Sequence, residues 1–321
     1  MNLTWLEPSY PAIVCIWEAS ARKVGNVHPA SAPIDTEYVH FLSSAAVLAE
    51  GWGFPARIRL GQMVLGAIER TSLAVGRNTN LGIVLLLAPL VRSSYMAHLK
   101  RGSDTLRGIA VSRGQVVSEM PMNWANEFRS SLSSVLGELD RSDARDVFEA
   151  IRLAAPGGLG DAPEQDVRDV PTVTLLDAMK LAADRDMVAR QYANGFAQVF
   201  DFGVPAFLAA FDEFGCVEAA IIDCQLRWLA EYPDSLIARK NGPAVAEDVR
   251  RRAVEVMRLG GIATSQGRAA GVALDQHLRL DGNKLNPGTT ADLITACLFV
   301  ALREGKVQPS APFRWQVEDW L

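Results

Sequence analysis

Acids, amides and cations gather at the junctions between apolar stretches of this chain, where such groups can stabilise a cationic carbon, hold a divalent ion or grip phosphate. Glu18 interrupts "PAIVCIWEASARK", a segment that is apolar on nearly every helical face and offers an acid few solvated positions. A chemical role and a buried structural role are both open to it. Asp35 precedes "TEYVHFLSSAAVLAE", where a helix N-cap is the plain reading, and Asp292 follows "NPGTT", with Thr289 at capping-box spacing. "GRNTNLG" supplies Asn78, Thr79 and Asn80 ahead of the apolar run from Leu81, three polar side chains where a cap needs one. Backbone N–H groups at a helix start, with Gly76 and Gly82 permitting close approach, also make an anion site. Arg22 and Lys23 in "ARKVGNVHP", and Arg239 and Lys240 in "PDSLIARKNG", each adjoin a glycine turn carrying an asparagine. That combination suits phosphate, although solvated surface is the usual place for such cations. Within 173–200, Met179, Ala182, Ala183, Asp186 and Arg190 share one helical face, which turns Asp186 toward the core. Arg190 is its expected ion-pair partner, in the favourable acid-before-base order, with a substrate or metal contact as the alternative.

The elements that must position these groups read as helices. Apolar residues recur every three or four positions at 11–21, 36–50, 57–75, 81–100, 122–137, 143–154, 173–200, 204–212, 216–230, 244–259 and 289–303. Gly51, the run "PGGLG" from Pro156 to Gly160, and Gly305 stand where left-handed helix ends belong. Alternating β-branched runs are scarce, and only 108–117 offers a hairpin. The expectation is an all-α, single-domain multi-helix bundle over residues 1–321, without repeats or a low-complexity linker. The polar connection 156–172 exceeds the ~12–15 residues beyond which loops inside compact domains are usually functional or disordered.

Composition narrows the partners. The chain has 321 residues, 49% of them hydrophobic, and a formal charge of -5, which leaves no electrostatic footprint for nucleic acid. The uncharged apolar run Leu81 to Val91 is about half of the ~20 residues of a membrane span. No basic leader with an apolar stretch and a small-residue cleavage site opens the sequence, so the cytoplasm is the expected location. Four cysteines without paired spacing and four histidines argue against a disulfide framework or a zinc site, and the thiols read as core residues.

Taken together, "WEASARKVGNVHP…ID", "GRNTNLG", "PDSLIARKNG" and "NPGTTADL" resemble, in order and approximate spacing, the motifs of the triphosphoribosyl-dephospho-CoA synthase family. The resemblance spans most of the chain. Two departures stand out: Asn80 and Leu81 occupy places where the family has histidine and lysine, and Val24 replaces a turn proline. The resemblance implies an all-α transferase that uses ATP and magnesium to place a triphosphoribosyl group on dephospho-CoA and releases adenine. It carries the family's functional positions onto Glu18 and Asp35 as catalytic acids, and onto Asp234 and Asp292 as magnesium ligands. Phosphate or nucleotide binding falls on Lys23, Asn26, Asn78, Thr79, Asn80, Gly82, Arg239 and Lys240. Such a reaction passes through an oxocarbenium-like transition state, which a nearby carboxylate stabilises while a base deprotonates the incoming hydroxyl. The partners implied are a nucleotide and a small-molecule cofactor acceptor, neither nucleic acid nor membrane, with a homodimer left open. Ribosyl transfer to a pterin- or furan-type one-carbon cofactor, an N- or O-ribosyl hydrolase, and a noncatalytic helical assembly protein are the rival readings.

Overall fold

Polar residues set into apolar helices decide how this chain packs. The computed structural model describes residues 9–30, 37–52, 55, 57–108, 124–157 and 164–321. Asp35 and the hairpin expected at 108–117 lie outside the described residues, apart from Gly108, which is helical. The helices are α1 (Tyr10–Ser20), α2 (Tyr38–Glu50), α3 (Leu60–Val75), α4 (Leu81–Gly108), α5 (Trp124–Gly137), α6 (Arg141–Ala154), α7 (Leu175–Ala182), α8 (Met187–Ala193), α9 (Val204–Phe214), α10 (Val217–Glu231), α11 (Ser235–Asn241), α12 (Pro243–Arg258), α13 (Ser265–Leu278), α14 (Leu280–Asn283) and α15 (Gly288–Arg303). A π-helical turn, Val199–Gly203, runs directly into α9. The fold is all-α, with no strand among the described residues.

Two helices organise the interior. Every residue of α15 except Gly288 and Asp292 is buried. Helix α10 is buried from Val217 to Leu226 without a break and separates two hydrophobic clusters, one formed largely by α1–α9 and α15, the other by α12, α13 and Trp320. A helix buried on nearly every face belongs in such a position, provided that its polar side chains are paired. The stretch Leu81–Lys100 of α4 has the length and mean hydropathy, 1.4, of a membrane span, yet 67% of that window is buried inside the protein.

The polar residues of α10 tie it to the turn after α1. Glu218 receives the Arg22 guanidinium, Nε to Oε1 at 2.7 Å and Nη2 to Oε2 at 3.2 Å. Gln225 accepts from Val24 N at 2.9 Å and donates to the Val24 carbonyl at 2.8 Å and to Asn26 Oδ1 at 2.6 Å. From α13, Asp275 Oδ1 accepts from Gly25 N at 2.7 Å. Arg22 also donates to the Trp315 carbonyl at 2.9 Å and accepts at its own carbonyl from Trp320 Nε1 at 2.8 Å. Buried donors and acceptors are thus paired across segments far apart in the chain, as burial requires.

Several expectations need correction. The segment 173–200 is not one helix: Asp186 caps α8, accepting from Val188 N at 2.9 Å and Ala189 N at 3.0 Å. An aspartate offered to the backbone ahead of it competes with helix continuation, which divides α7 from α8. Arg190 therefore does not pair with Asp186; its Nε donates to the Ala183 carbonyl at 3.0 Å. Helices α11 and α13 fall in stretches where periodicity gives no signal. In α13, Gly267 and Gly271 are packing positions rather than breakers, since a Cβ there would meet the Gly261 carbonyl at 1.9 Å and the Trp320 ring at 2.6 Å. Gly305 does adopt the left-handed conformation, with φ of 67°, whereas α6 ends on Ala155 at φ of 42° and Gly51 is not left-handed. The four cysteines are buried and free, as expected.

Candidate active site

The starts of α4, α11 and α15, the end of α1 and the turns around α6–α8 surround a cleft of about 1620 Å³. Its floor carries Glu18 and Asp292 with the loop Asn78–Gly82, and its rim carries Arg239 and Lys240, with Arg185 and Lys284 beyond them. Phe148 and Ile151 of α6, with Leu153, Met179 and Leu181, make an apolar part of the wall. The described part of the 156–172 connection, including Pro156, Gly157 and Asp166, lines the cleft as well.

Asp292 is the acid on the otherwise buried α15, one turn in from the helix start. It makes no capping box: the N-cap is Pro287, and the Thr289 hydroxyl oxygen accepts from Ser235 Oγ at 3.1 Å instead. No described residue donates a hydrogen bond to the Asp292 carboxylate or forms an ion pair with it. Burial first, then the negative charges of Glu18, Asp234 and Asp186, push this carboxyl well above the usual carboxylate range, against the pull of Arg239. It lies against α4, where a Cβ on Gly82 would stand 1.9 Å from Asp292 Oδ2. Gly82 is therefore required so that this carboxylate can lie against the start of α4.

Glu18 is only 4% exposed and lines the same floor. Its Oε1 is 3.0 Å from Lys23 Nζ, and Lys23 also donates to the Glu18 carbonyl. Lys23 is fully buried and does not line the cleft, so it is the counter-ion of Glu18 rather than a phosphate ligand. Arg22, committed to Glu218, is likewise structural. Asn26 does reach the cleft, with its amide engaged on both sides by Gln225 and by Asn286 Oδ1 at 2.6 Å.

The loop before α4 uses its three polar side chains separately. Asn78 Oδ1 accepts from Leu81 N at 3.1 Å and caps the helix. Thr79 Oγ1 lies 2.6 Å from Ser44 Oγ on α2. Asn80 Nδ2 donates to Thr71 Oγ1 on α3 at 3.0 Å, and its Oδ1 is buried without a partner among the described residues.

Asp234, expected to bind metal, is saturated by protein. Oδ1 caps α11, accepting from Leu236 N at 2.9 Å and Ile237 N at 3.0 Å, and Oδ2 accepts from the Thr290 amide and hydroxyl, each at 2.8 Å. Four donors use the carboxylate's lone-pair directions, and Asp234 does not line the cleft. It locks the start of α11 to the start of α15. Arg239 does face the cleft, held by Asp186 Oδ2 at 3.1 Å from Nη1 and by the Gly157 carbonyl at 3.3 Å from Nε. Lys240 is exposed on the rim, its stem beside Gly157. Sequence reasoning missed Asp186 as the holder of Arg239, and Gln225 and Asp275 as the groups that fix the turn after α1. The available signal was the same for Gln225 and Asp275: a polar residue at an interior helical position.

An all-α frame around one large cleft lined by acids, amides and cations describes a helical protein with a polar binding site. Over residues 12–310 the chain matches the ATP:dephospho-CoA triphosphoribosyl transferase (CitG) family, and it belongs to that family. It is 35% identical over 113 residues to a "Probable 2-(5''-triphosphoribosyl)-3'-dephosphocoenzyme-A synthase" of Pseudomonas putida, a match covering 35% of this chain and 40% of that protein. A protein of the same description from Pseudomonas savastanoi pv. phaseolicola is 32% identical over 115 residues, 36% of this chain and 39% of the relative. The matched stretch thus spans about two-fifths of these curated relatives. Among solved structures, the "putative triphosphoribosyl-dephospho-coA synthase" of Archaeoglobus fulgidus superposes with a TM-score of 0.58 at 27% identity, covering 83% of this chain and 99% of that one.

Proposed function

We propose that this protein transfers the triphosphoribosyl group of ATP to a hydroxyl of a dephospho-CoA-type acceptor and releases adenine. Family membership and the names of the relatives support the reaction class over hydrolysis or a noncatalytic assembly role. The observation that carries the reading is the Asp292 carboxylate, which lines the same cleft as Glu18, sits among other acids and has no donor among the described residues. Such a group is stabilised by a cation. In the reaction the bond from ribose C1 to the adenine nitrogen breaks with its electron pair leaving on adenine, and a bond from C1 to the acceptor oxygen forms. Glu18 stabilises the positive charge at C1 and takes the proton from the acceptor hydroxyl.

Arg239 and Lys240 hold the phosphates, with the α4 loop presenting N–H donors. Magnesium uses one or two carboxylates together with phosphate oxygens and waters. Asp292 fits that mode, and no cluster of three or more metal-ligating side chains occurs among the described residues. When bound, the ion would neutralise triphosphate charge. The cleft, at about 1620 Å³, exceeds the ~300–1,000 Å³ of single-ligand pockets, which supports two substrates bound together. The apolar part of the wall, around Phe148 and Met179, suits the uncharged part of the acceptor. The cytoplasm is the proposed setting, in keeping with four free, buried cysteines.

The test is adenine release from ATP with magnesium, with and without dephospho-CoA. Release that depends on the acceptor is expected; acceptor-independent release would indicate a hydrolase, and no release would overturn the reading. Within it, Gly82→Ala should lower turnover by about 10²-fold, because the added Cβ displaces the Asp292 carboxylate by more than small adjustments absorb. Single-turnover rates of the two proteins at saturating ATP would check this. Equal rates would mean that the Asp292 position against α4 is not used.

A further inference from the structure

A second, much smaller space lies under the α4 loop, about 10 Å³ in volume and lined on its polar side by Glu18, Ser44, Thr79 and Asn80, with Cys15 and Phe41 among its apolar walls. Its size admits one water-sized group and no more. Glu18, Thr79, Asn80 and Phe41 line both this space and the main cleft, so the two adjoin. Asn80 is 5% exposed, and its Oδ1 has no hydrogen-bond partner among the described residues.

The neighbouring hydroxyls cannot satisfy that oxygen. Ser44 Oγ donates to the His40 carbonyl at 2.8 Å, which spends its one proton. The 2.6 Å contact between Ser44 and Thr79 must then be donated by Thr79, which spends the other. Thr71, on the far side of the amide, accepts from Asn80 Nδ2 and so leaves Oδ1 as the unmatched atom. What remains around the space is acceptors: the Asn80 carbonyl oxygen, Thr79 Oγ1 and the Glu18 carboxylate. A buried acceptor left unmatched is costly, and the Ser44 and Thr79 hydroxyl protons are already committed.

We propose that this space seats one hydroxyl-sized donor, an ordered water or a single sugar hydroxyl, which donates to Asn80 Oδ1 beside the Glu18 carboxylate. A phosphate is excluded, because it brings acceptors to a seat built of acceptors. In either form the occupant joins the α4 loop to the acid that the proposed reaction uses. Asn80 is thereby a positioning residue, acting through the seated group. The sugar-hydroxyl form rests on the proposed use of ATP; the water form does not.

Two measurements test the seat. The first is a high-resolution crystal structure of the unliganded, unsubstituted protein. An oxygen-sized peak at hydrogen-bond distance from Asn80 Oδ1 is expected; an empty space, or a peak with the shorter contacts of a coordinated metal ion, would overturn the proposal. The second is binding of ATP, 2'-deoxy-ATP and 3'-deoxy-ATP by calorimetry to the unsubstituted protein and to Asn80→Ala. If the occupant is a substrate hydroxyl, one deoxy analogue binds at least roughly tenfold more weakly than ATP, and Asn80→Ala removes that difference. If it is a water, all three nucleotides bind alike and the crystallographic peak persists with ATP bound. Absence of nucleotide binding would count against the proposed function, while the unliganded structure would still decide the seat.

Discussion

Asp292→Asn should lower acceptor-dependent adenine release by roughly 10²–10⁴-fold while leaving the fold intact and raising the melting temperature. The two effects have opposite signs because the carboxylate has no donor among the described residues to lose. Burial and neighbouring acids hold its carboxyl well above the ordinary 3.8 in the folded protein. As pH rises from that ordinary value toward the raised one, the folded form keeps a proton that the unfolded chain has given up. Stability from this group is therefore present at low pH and lost as pH climbs through the folded value. The asparagine variant should lack that fall. Melting temperatures measured against pH for both proteins, alongside an adenine assay, would check both halves. A variant that is less stable than the parent at neutral pH would show that Asp292 has a structural partner instead.

Lys23→Met should destabilise the protein by about 3–5 kcal/mol, because it leaves Glu18 as an uncompensated buried charge. The double variant Glu18→Gln with Lys23→Met should recover much of that loss, since replacing both members of a buried pair is often close to neutral. Urea unfolding of the two single variants and the double variant measures the interaction directly. A phosphate-binding lysine would behave otherwise: its loss would weaken ATP binding and leave unfolding nearly unchanged.

Much of the helical frame was legible because periodicity and burial agree in α1–α6, α9, α10, α12 and α15. It failed where a local hydrogen bond outweighed the pattern, as Asp186 does between α7 and α8. It failed again where glycines serve close packing, as in α13. Of the site, the acids and the α4 loop were legible as types at junctions, but their partners were not. Asp234 and Asp292 look alike in sequence, each beside a turn near a helix start. What separates them is that Thr290 and two α11 amides converge on the first, while α4 presents only a glycine to the second. Lys23 looks like a surface cation after a helix, and only the α10 and α13 ties to Val24, Gly25 and Asn26 turn it inward.

Those ties connect the turn after α1 to the C-terminal segment of the chain. Arg22 is gripped by Glu218 and by the Trp315 carbonyl, and Trp320 closes back onto the Arg22 carbonyl. The segment carrying Trp315 and Trp320 consequently works as a brace on the turn that follows the helix bearing Glu18: loosening it would free Arg22, four residues beyond that acid.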